Sequence, residues 1–564
     1  MKRMLFLPAL CAAILGVSWG AYRAALPPEP ELSHYVPSGA LLYLQARDFS
    51  SLLSDWDKSD EKKAWVKSKN YDQFTNSRLL LRLKKAGEEF STAAGVPADA
   101  DLLQQVAGKQ TAFALYDIGK LEFLYVTRAS SGFANSPLSE TRSKFESRSA
   151  AGVTFYYRKD PDSEREVAFA TTGDYVLLAT REDLIAGALE MIVQGKRHSI
   201  EEDAWWIRAV STAGAPGDLR MVLNLEKIVP SPYFRTYWIQ QNITEMKQYG
   251  AAISDLTRQG NEYREERTLF RKSARAPDPA AAKGAAAVAD LMRLVPDDSG
   301  LYEAKANPTP ETSLDLLTAK ILAPNPVAVA AQKIAPQVLL GNGETGAASD
   351  LETRIDQPPP QTAGANNSRA ALQALISTGH VLAQLHLQRT ERDPGGVFVR
   401  MHTGVALLGE SDWDERKVQS ALVEFVRPTF TTQQLGLQWK DVSGYHVLDG
   451  LWHLSVAIRG TYLLVSDDEA ILTAMLAGLN KKTDAKPSAF FAAFRHQRER
   501  ANLVSLTKFL DQESGQSGNG AFPAFFSENI ASLSFSLKDV ASEEITIRDS
   551  ADRQSQTVVY AWGR

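Results

Sequence analysis

The sequence predicts an α+β fold built from two homologous tandem modules, each a mainly antiparallel sheet packed with amphipathic helices. Three observations carry that expectation. The phrase GDYVLLATREDLIAGALEMI, Gly173 to Ile192, returns as GTYLLVSDDEAILTAMLAGL, Gly460 to Leu479. The segments around it return in the same order on both sides. Short strands follow one another through short turns, which favours antiparallel pairing.

Each copy of the phrase reads as an apolar strand, a polar turn and a helix. Between Arg181 and Ile192, the apolar Leu184, Ile185, Ala188, Leu189 and Ile192 fall on one helical face. Thr180 with Asp183, and Ser466 with Glu469, offer the pattern that caps a helix start in both copies. Further strands are expected at Phe113 to Tyr116, Phe123 to Thr127 and Tyr175 to Ala179.

Upstream, VPSGALLYLQA from Val36 matches VPDDSGLYEAKA from Val295, which sets Tyr43 opposite Tyr302. GKQTAFAL from Gly108 corresponds to GHVLAQLH from Gly379. Downstream, Asp203-Ala-Trp-Trp-Ile, before the strand-like run from Leu219, corresponds to Ser488-Ala-Phe-Phe-Ala, before the run from Asn502. Trp205 and Trp206, opposite Phe490 and Phe491, are expected to anchor a helix onto the sheet. REERTLF from Arg264 and RQSQTVVYAW from Arg553 both read as closing strands with alternating faces.

At 564 residues the chain exceeds the roughly 250 to 300 residues at which a single core stops growing. The expected modules are 32–273 and 291–564, joined by an Ala/Pro-rich linker at 274–290 that leads into a helix. Matched residues are 259 apart at Tyr43/Tyr302 and 287 apart at Tyr175/Tyr462, so the second module carries 28 extra residues. Most fall within 307–369, where GNGETGAAS and DQPPPQTAGANNS are rich in loop formers.

A composition of 44% hydrophobic and 23% charged residues is that of a folded protein. A net charge of -5 gives no general basic surface for nucleic acid, and no nucleic-acid partner is expected. Lys2 and Arg3 precede an apolar run from Met4 to Val17, the layout of an export signal. Residues 1–20 are either cleaved after Gly20 or kept as an anchor, since the run nears the ~17 residues of a spanning helix. Either way the body lies outside the cytoplasm, in the periplasm or envelope. The one cysteine, Cys11, sits in that run, so the chain beyond it has no disulfide, cysteine nucleophile or thiolate metal site.

The order of VP-x-x-x-hydrophobic-Tyr, glycine-aromatic strand, helix and aromatic pair resembles a bacterial family of exported proteins classed as a domain of unknown function. Gly173, Tyr175, Leu177 and Leu184 are among the residues that carry it. The resemblance implies an envelope location and a repeated architecture. It implies no activity and no site residues.

The chemical motifs are few. Gly341-Asn342-Gly343-Glu344-Thr345-Gly346 is a literal GxGxxG, but it lacks the strand-to-helix context of a dinucleotide site and reads as a loop. His380 and His386, six apart, would share one face of a strand, while His446 and His453 flank a turn at Asp449-Gly450; no close metal-binding pair occurs. Ser517 sits in a glycine-rich stretch with no GxSxG elbow. SDWD occurs at Ser54 to Asp57 and at Ser411 to Asp414, off the module spacing, and is read as a helix cap in each place. Clusters such as Asp60-Glu-Lys-Lys and Tyr263-Arg-Glu-Glu-Arg mix signs and read as solvated faces.

Where the two halves match, they share apolar, aromatic, glycine and capping residues. No matched catalytic set accompanies them, so no catalytic, cofactor-binding or metal residue is assigned and no cofactor is expected. The expectation is a non-enzymatic interaction or scaffold component of the envelope, working on an unknown envelope protein. One alternative is a carrier of lipid or another apolar ligand, with a pocket lined by Phe113, Tyr125, Phe155 and Tyr157. Another is a glycan or peptide hydrolase with a site in the second module near 307–369.

Overall fold

The computed structural model describes residues 30–67, 71, 75–76, 78–128, 136–195, 198–233, 246–276, 278–322, 365–392, 399–430, 438–449, 454–496, 498–499 and 540–562. Residues 1–20 with Cys11, the Gly341–Gly346 motif, His453 and Ser517 lie outside them, as do the run from Asn502 and most of 307–369. Among the described residues no helix is long and apolar enough to cross a membrane. The chain is mixed α+β with extensive antiparallel sheet, and it divides into two compact units: residues 1–50 with 86–207, and residues 51–85 with 208–564.

Among the described residues, helices of seven residues or more are α1 (Phe49–Lys58), α2 (Asp60–Val66), α3 (Arg78–Ala94), α4 (Ala100–Val106), α5 (Glu182–Gln194) and α6 (Ala204–Val210). They continue as α7 (Pro279–Leu291), α8 (Pro310–Leu317), α9 (Ala365–Gly379), α10 (Glu415–Phe430) and α11 (Glu469–Gly478).

The first unit holds β1 (Leu42–Ala46), β2 (Thr111–Asp117), β3 (Glu122–Arg128), β4 (Glu146–Ala150), β5 (Val153–Lys159), β6 (Glu166–Thr172) and β7 (Tyr175–Ala179). They lie in the order β1-β2-β3-β7-β6-β5-β4, every pair antiparallel. Successive residues of a strand point to opposite faces. On one face Tyr125, Phe169, Val176 and Leu178 pack with Phe90, Leu102 and Val106 from α3 and α4. Leu184, Ile185, Ala188 and Leu189 of α5 are buried, as the single apolar face read from the sequence requires.

The second unit holds β8 (Leu219–Asn224), β9 (Tyr249–Gln259), β10 (Glu262–Arg271), β11 (Leu301–Ala306), β12 (Val381–Arg392), β13 (Val399–Gly409) and β14 (Gln438–Val442). Beyond these come β15 (Tyr445–Asp449), β16 (Leu454–Arg459), β17 (Tyr462–Ser466), β18 (Phe490–Phe494), β19 (Val540–Asp549) and β20 (Arg553–Trp562). One arm of pairings runs β11-β12-β13-β17-β16-β15-β14. The other runs β11-β18-β19-β20-β10-β9-β8, so the two expected closing strands pair with each other, Arg264 opposite Val559.

Alternation in β13 builds two cores in this unit. Val405 and Leu407 join Leu314, Ile376 and Leu422 from α8, α9 and α10. Ala406 and Leu408 join Val288, Leu291, Leu472 and Met475 from α7 and α11. Each fully buried Leu or Val is worth about 2 kcal/mol against exposure, so a slip of one residue along β13 would forfeit both layers.

Three expectations need correction. Thr180 and Ser466 do not cap the helices that follow them. The cap position of α5 is Arg181, which makes no side-chain cap bond, and α11 is capped by Asp468. Thr180 and Ser466 instead turn to the neighbouring strands: Thr180 accepts from the Phe123 N–H, and Ser466 donates to the Thr403 carbonyl. Phe490 and Phe491 open strand β18, held between β11 and β19, and anchor no helix. Trp206 does lie on a helix, edge-on to Tyr43 at 4.9 Å between ring centres, while Phe491 stacks on Tyr302 at 5.8 Å. The expected linker at 274–290 is largely α7, started by the Asp278 side chain and Pro279 and buried through Ala287 and Val288.

Candidate functional site

The best-connected polar cluster of the second unit forms where β17 turns into α11. β17 ends at Ser466 and α11 starts at Glu469, leaving Asp467 and Asp468 to make the turn. Asp468 Oδ1 accepts the N–H groups of Ala470 at 2.7 Å and Ile471 at 3.0 Å, which satisfies two open donors of the helix start. Its Oδ2 lies 3.2 Å from Arg389 and 3.3 Å from His402 Nδ1, both on the β12–β13 hairpin. Arg389 also holds Asp298 at 2.7 Å, and His402 Nε2 lies 3.3 Å from Glu391.

Asp467 points the other way, and its Oδ1 accepts the Thr403 N–H at 2.6 Å. Burial pushes the Asp467 carboxyl up to about 6; the Thr403 N–H and the His402 ring pull it back, and Asp468 adds to the rise. Burial also opposes ionisation of Asp298, yet the hydrogen bond and charge of Arg389 hold that carboxyl below its ordinary range. Imidazole and carboxyl groups are general acid–base side chains, and the guanidinium among them is a fixed positive charge. The same bonds tie the start of α11 to the hairpin, and ion-pair networks that serve only structure shift pKa values in the same way.

The first unit also turns from a strand into a helix, from Ala179 of β7 to Glu182 of α5, with different side chains. Thr180 Oγ1 accepts the Phe123 N–H at 2.8 Å, and Arg181 pairs with Glu122 at 3.1 Å and Asp183 at 2.6 Å.

Two further groups of buried polar atoms lie in the second unit. His386 of β12 is buried, and its Nε2 has no hydrogen-bond partner among the described residues. Burial, aided by the charge of Lys320, pushes its pKa down to about 4, so the ring is neutral. Ser299 Oγ, His496 Nε2 and Glu499 Oε1 are also buried without a hydrogen-bond partner among the described residues. The Glu499 carboxylate occupies the space a Cβ on Gly300 would fill, 1.6 Å from Oε1, so only glycine at 300 admits it.

The histidines expected on one strand face are separated, because His380 sits in the turn before β12 with φ 43°, off the strand that carries His386. His446 lies between two carboxylates, 2.8 Å from Glu415 and 2.5 Å from Asp441. The first SDWD is no cap: Ser54 to Asp57 lie inside α1, and Ser59 caps the helix that follows. At the second, Asp414 does accept the Lys417 N–H at the start of α10. The four aromatic residues expected to line one pocket face two ways. Phe113 and Tyr125 belong with the core under α3 and α4, whereas Phe155 and Tyr157, paired with Ala170 and Ala168, alternate away from Tyr156 and Phe169 of that core.

A concavity of about 220 Å³ is lined by Asn307, Pro308, Pro310, Ile376, Ser377, His380, Val381 and Leu382, with no carboxylate among them. Among the described residues no group of three or more His, Cys, Asp or Glu side chains is arranged to hold a metal ion.

No family model matches the sequence. No curated protein matches it either. Among solved structures the chain is similar to crystal form I of TP0453, at 13% identity and a TM-score of 0.23, over 44% of this chain and 82% of that one. Crystal form III of TP0453 gives 14% identity and a TM-score of 0.24, over 45% and 85%.

Proposed function

We propose that the chain is a tandemly duplicated, non-enzymatic component of the bacterial cell envelope, exported through its N-terminal segment and acting by binding an envelope partner. Its membership of the exported family of unknown function that it resembles is part of the same proposal. The duplication is supported by topology. The path β1-β2-β3-β7-β6-β5-β4 and the path β11-β12-β13-β17-β16-β15-β14 differ only by ten in every strand number. Both sets end in a long hairpin, β9–β10 and β19–β20.

One observation carries the non-enzymatic reading. Leu124 pairs with Ala179 and Gly404 with Ser466, so Thr180 and Asp467 occupy the same place in their paths, one residue beyond each pair. Each accepts the N–H of the residue directly across, Phe123 or Thr403. The hydrogen bond recurs while a hydroxyl and a carboxyl exchange. A backbone tie tolerates that exchange; a retained acid or base would not.

The test is native mass spectrometry of the chain from Ala21, purified from its own envelope, with assays on envelope polymers alongside. The reading expects a ligand-free mass and a co-purifying envelope protein. Turnover of any polymer, abolished by His402→Gln or Asp467→Asn in a folded protein, overturns it, and a bound lipid moves it to the carrier alternative.

A further inference from the structure

We propose that β4 is a self-association edge, along which a second copy of this chain lays its own β4 antiparallel about a two-fold axis. β4 pairs with β5 on one side, and among the described residues no strand pairs with its other side. The turn between β4 and β5 fixes which backbone groups face outward. Ala150 stands opposite Val153, and Ala151 and Gly152 between them have φ 51° and 79°, a two-residue type I′ hairpin turn. Such a turn closes on a hydrogen-bonded pair, and along an antiparallel ladder those pairs alternate with open ones. Ala150, Arg148 and Glu146 therefore bond to β5, and the N–H and C=O groups of Ser147 and Ser149 point away from it. Both serines are exposed, and among the described residues neither backbone takes a partner outside the hairpin. An open edge of this kind is a template for another strand.

Charge selects the partner. Charged side chains ordinarily guard an open edge, but those of β4 match themselves. Directly opposite residues share a face of the sheet, so two-fold pairing opposes residues an even number of positions apart. With Ser147 on the axis, Glu146 faces the partner's Arg148 and Arg148 faces the partner's Glu146. The outward N–H and C=O of Ser147 then bond their own counterparts. Arg148 is held ready for this: its guanidinium lies 3.9 Å from the Tyr157 ring centre and pairs with Glu182 and, at 2.7 Å, with Glu146 Oε2. Glu146 Oε1 accepts no bond among the described residues, and that side chain is 70% exposed. β14, which ends its arm of pairings in the second unit, lacks the match. Its charges, Lys440 and Asp441, are adjacent, so no two-fold pairing sets one opposite the other. An unrelated extended peptide would use the backbone groups but gains nothing from self-complementary charge. This goes beyond the proposed role and does not rest on it, because the purified chain alone must show it.

β4 offers five residues a side, against about 20–30 in a stable interface, so the pairing is transient and is read by covalent trapping. The test uses the full chain with Cys11→Ser and a single new thiol, Ser147→Cys or, as the collision control, Val193→Cys, a position 48% exposed. Opposed Cα atoms about 5.5 Å apart lie within disulfide reach. Under mild oxidation the purified Ser147→Cys chain is expected to form disulfide dimers faster than the control. In that background Arg148→Glu sets like charges opposite one another, as does Glu146→Arg, and each is expected to slow trapping on the order of tenfold. Mixed together, the two variants oppose unlike charges at both positions and are expected to form the mixed dimer at the parent rate, which a misfolded variant could not do. No excess over the control, unchanged rates in the single charge variants, or no recovery in the mixture overturns the proposal. A photoreactive label on the position-147 thiol in isolated envelopes that captures a different protein in place of a second copy also overturns it and assigns the edge to that protein. Association through the N-terminus would trap both thiols alike and ignore the charge at 148, and a negative result leaves the co-purification test untouched.

Discussion

Arg220 and Asp255 face each other directly across β8 and β9 and form a two-pronged pair, Nε to Oδ1 at 2.7 Å and Nη2 to Oδ2 at 2.8 Å. The Arg220 side chain is only 9% exposed, and its guanidinium also donates to the Gly214 carbonyl while Asp255 accepts from the Gly217 N–H. Removing one partner strands the other charge. Asp255→Ala is expected to destabilise by about 3 kcal/mol, and Arg220→Met with Asp255→Leu by clearly less than the sum of the single changes. Urea unfolding of the set checks this, and purely additive effects would show that the pair is not coupled.

Asp467 sets a pH dependence of definite sign. Its folded pKa, about 6, is above the ordinary 3.8, so its favourable contribution is full below pH 3.8 and is lost as pH rises through 6. Asp467→Asn keeps an acceptor for the Thr403 N–H and removes the titration. The variant is expected to match the parent near pH 4 and to exceed it above pH 7 by on the order of 2 kcal/mol. Thermal melts across this range decide it; a variant equally weakened at both ends contradicts the assignment.

His386 works in the opposite direction over nearly the same window. Its folded pKa of about 4 lies below the ordinary 6.5, so its contribution is full above pH 6.5 and is lost as pH falls through 4. Between pH 4 and 6 the contributions of the two groups to stability have opposite slopes. Relative to the parent, His386→Gln is expected to lose the rise in stability between pH 4 and 6.5, by on the order of 2 kcal/mol. A profile with unchanged slope in the variant would mean that the ring is not neutral in the folded state.

The helix of the recurring phrase was legible because its period near 3.6 in α5 is a local property of the sequence, and the strands β7 and β17 because each is a short apolar run just after a glycine turn. Phe490 and Phe491 were not, since a short apolar run fits a strand or a helix equally and only pairing with β11 and β19 decides. The caps were misplaced because an oxygen acceptor near a helix start can serve a neighbouring strand instead, as Thr180 does. In the second copy Ser466, Asp467 and Asp468 all carry one, and the β13–β17 pairing determines which of them meets Thr403. The same holds for the polar cluster: Asp298, Arg389, His402 and Asp468 share no motif, and three separate parts of the chain bring them together. The β10–β20 pairing joins residues nearly three hundred positions apart and leaves no local sign.

Gly404 reports how closely α11 is pressed onto the sheet. A Cβ there would stand 2.8 Å from Ile471 Cγ2, 3.0 Å from Leu387 Cδ1 and 3.1 Å from Met475 Sδ, all within one buried core. Gly404→Ala therefore forces at least one of these side chains off its rotamer, at an expected cost of about 1–3 kcal/mol. Ile471→Ala removes the Cγ2 that stands nearest and costs about 2–5 kcal/mol alone through the lost packing. If the clash is what Gly404 avoids, the double variant is more stable than the two single effects predict, by on the order of 1 kcal/mol. Strict additivity in a denaturant-unfolding cycle would instead mean that α11 shifts as a body, and that glycine at 404 is not what fixes its distance from β13.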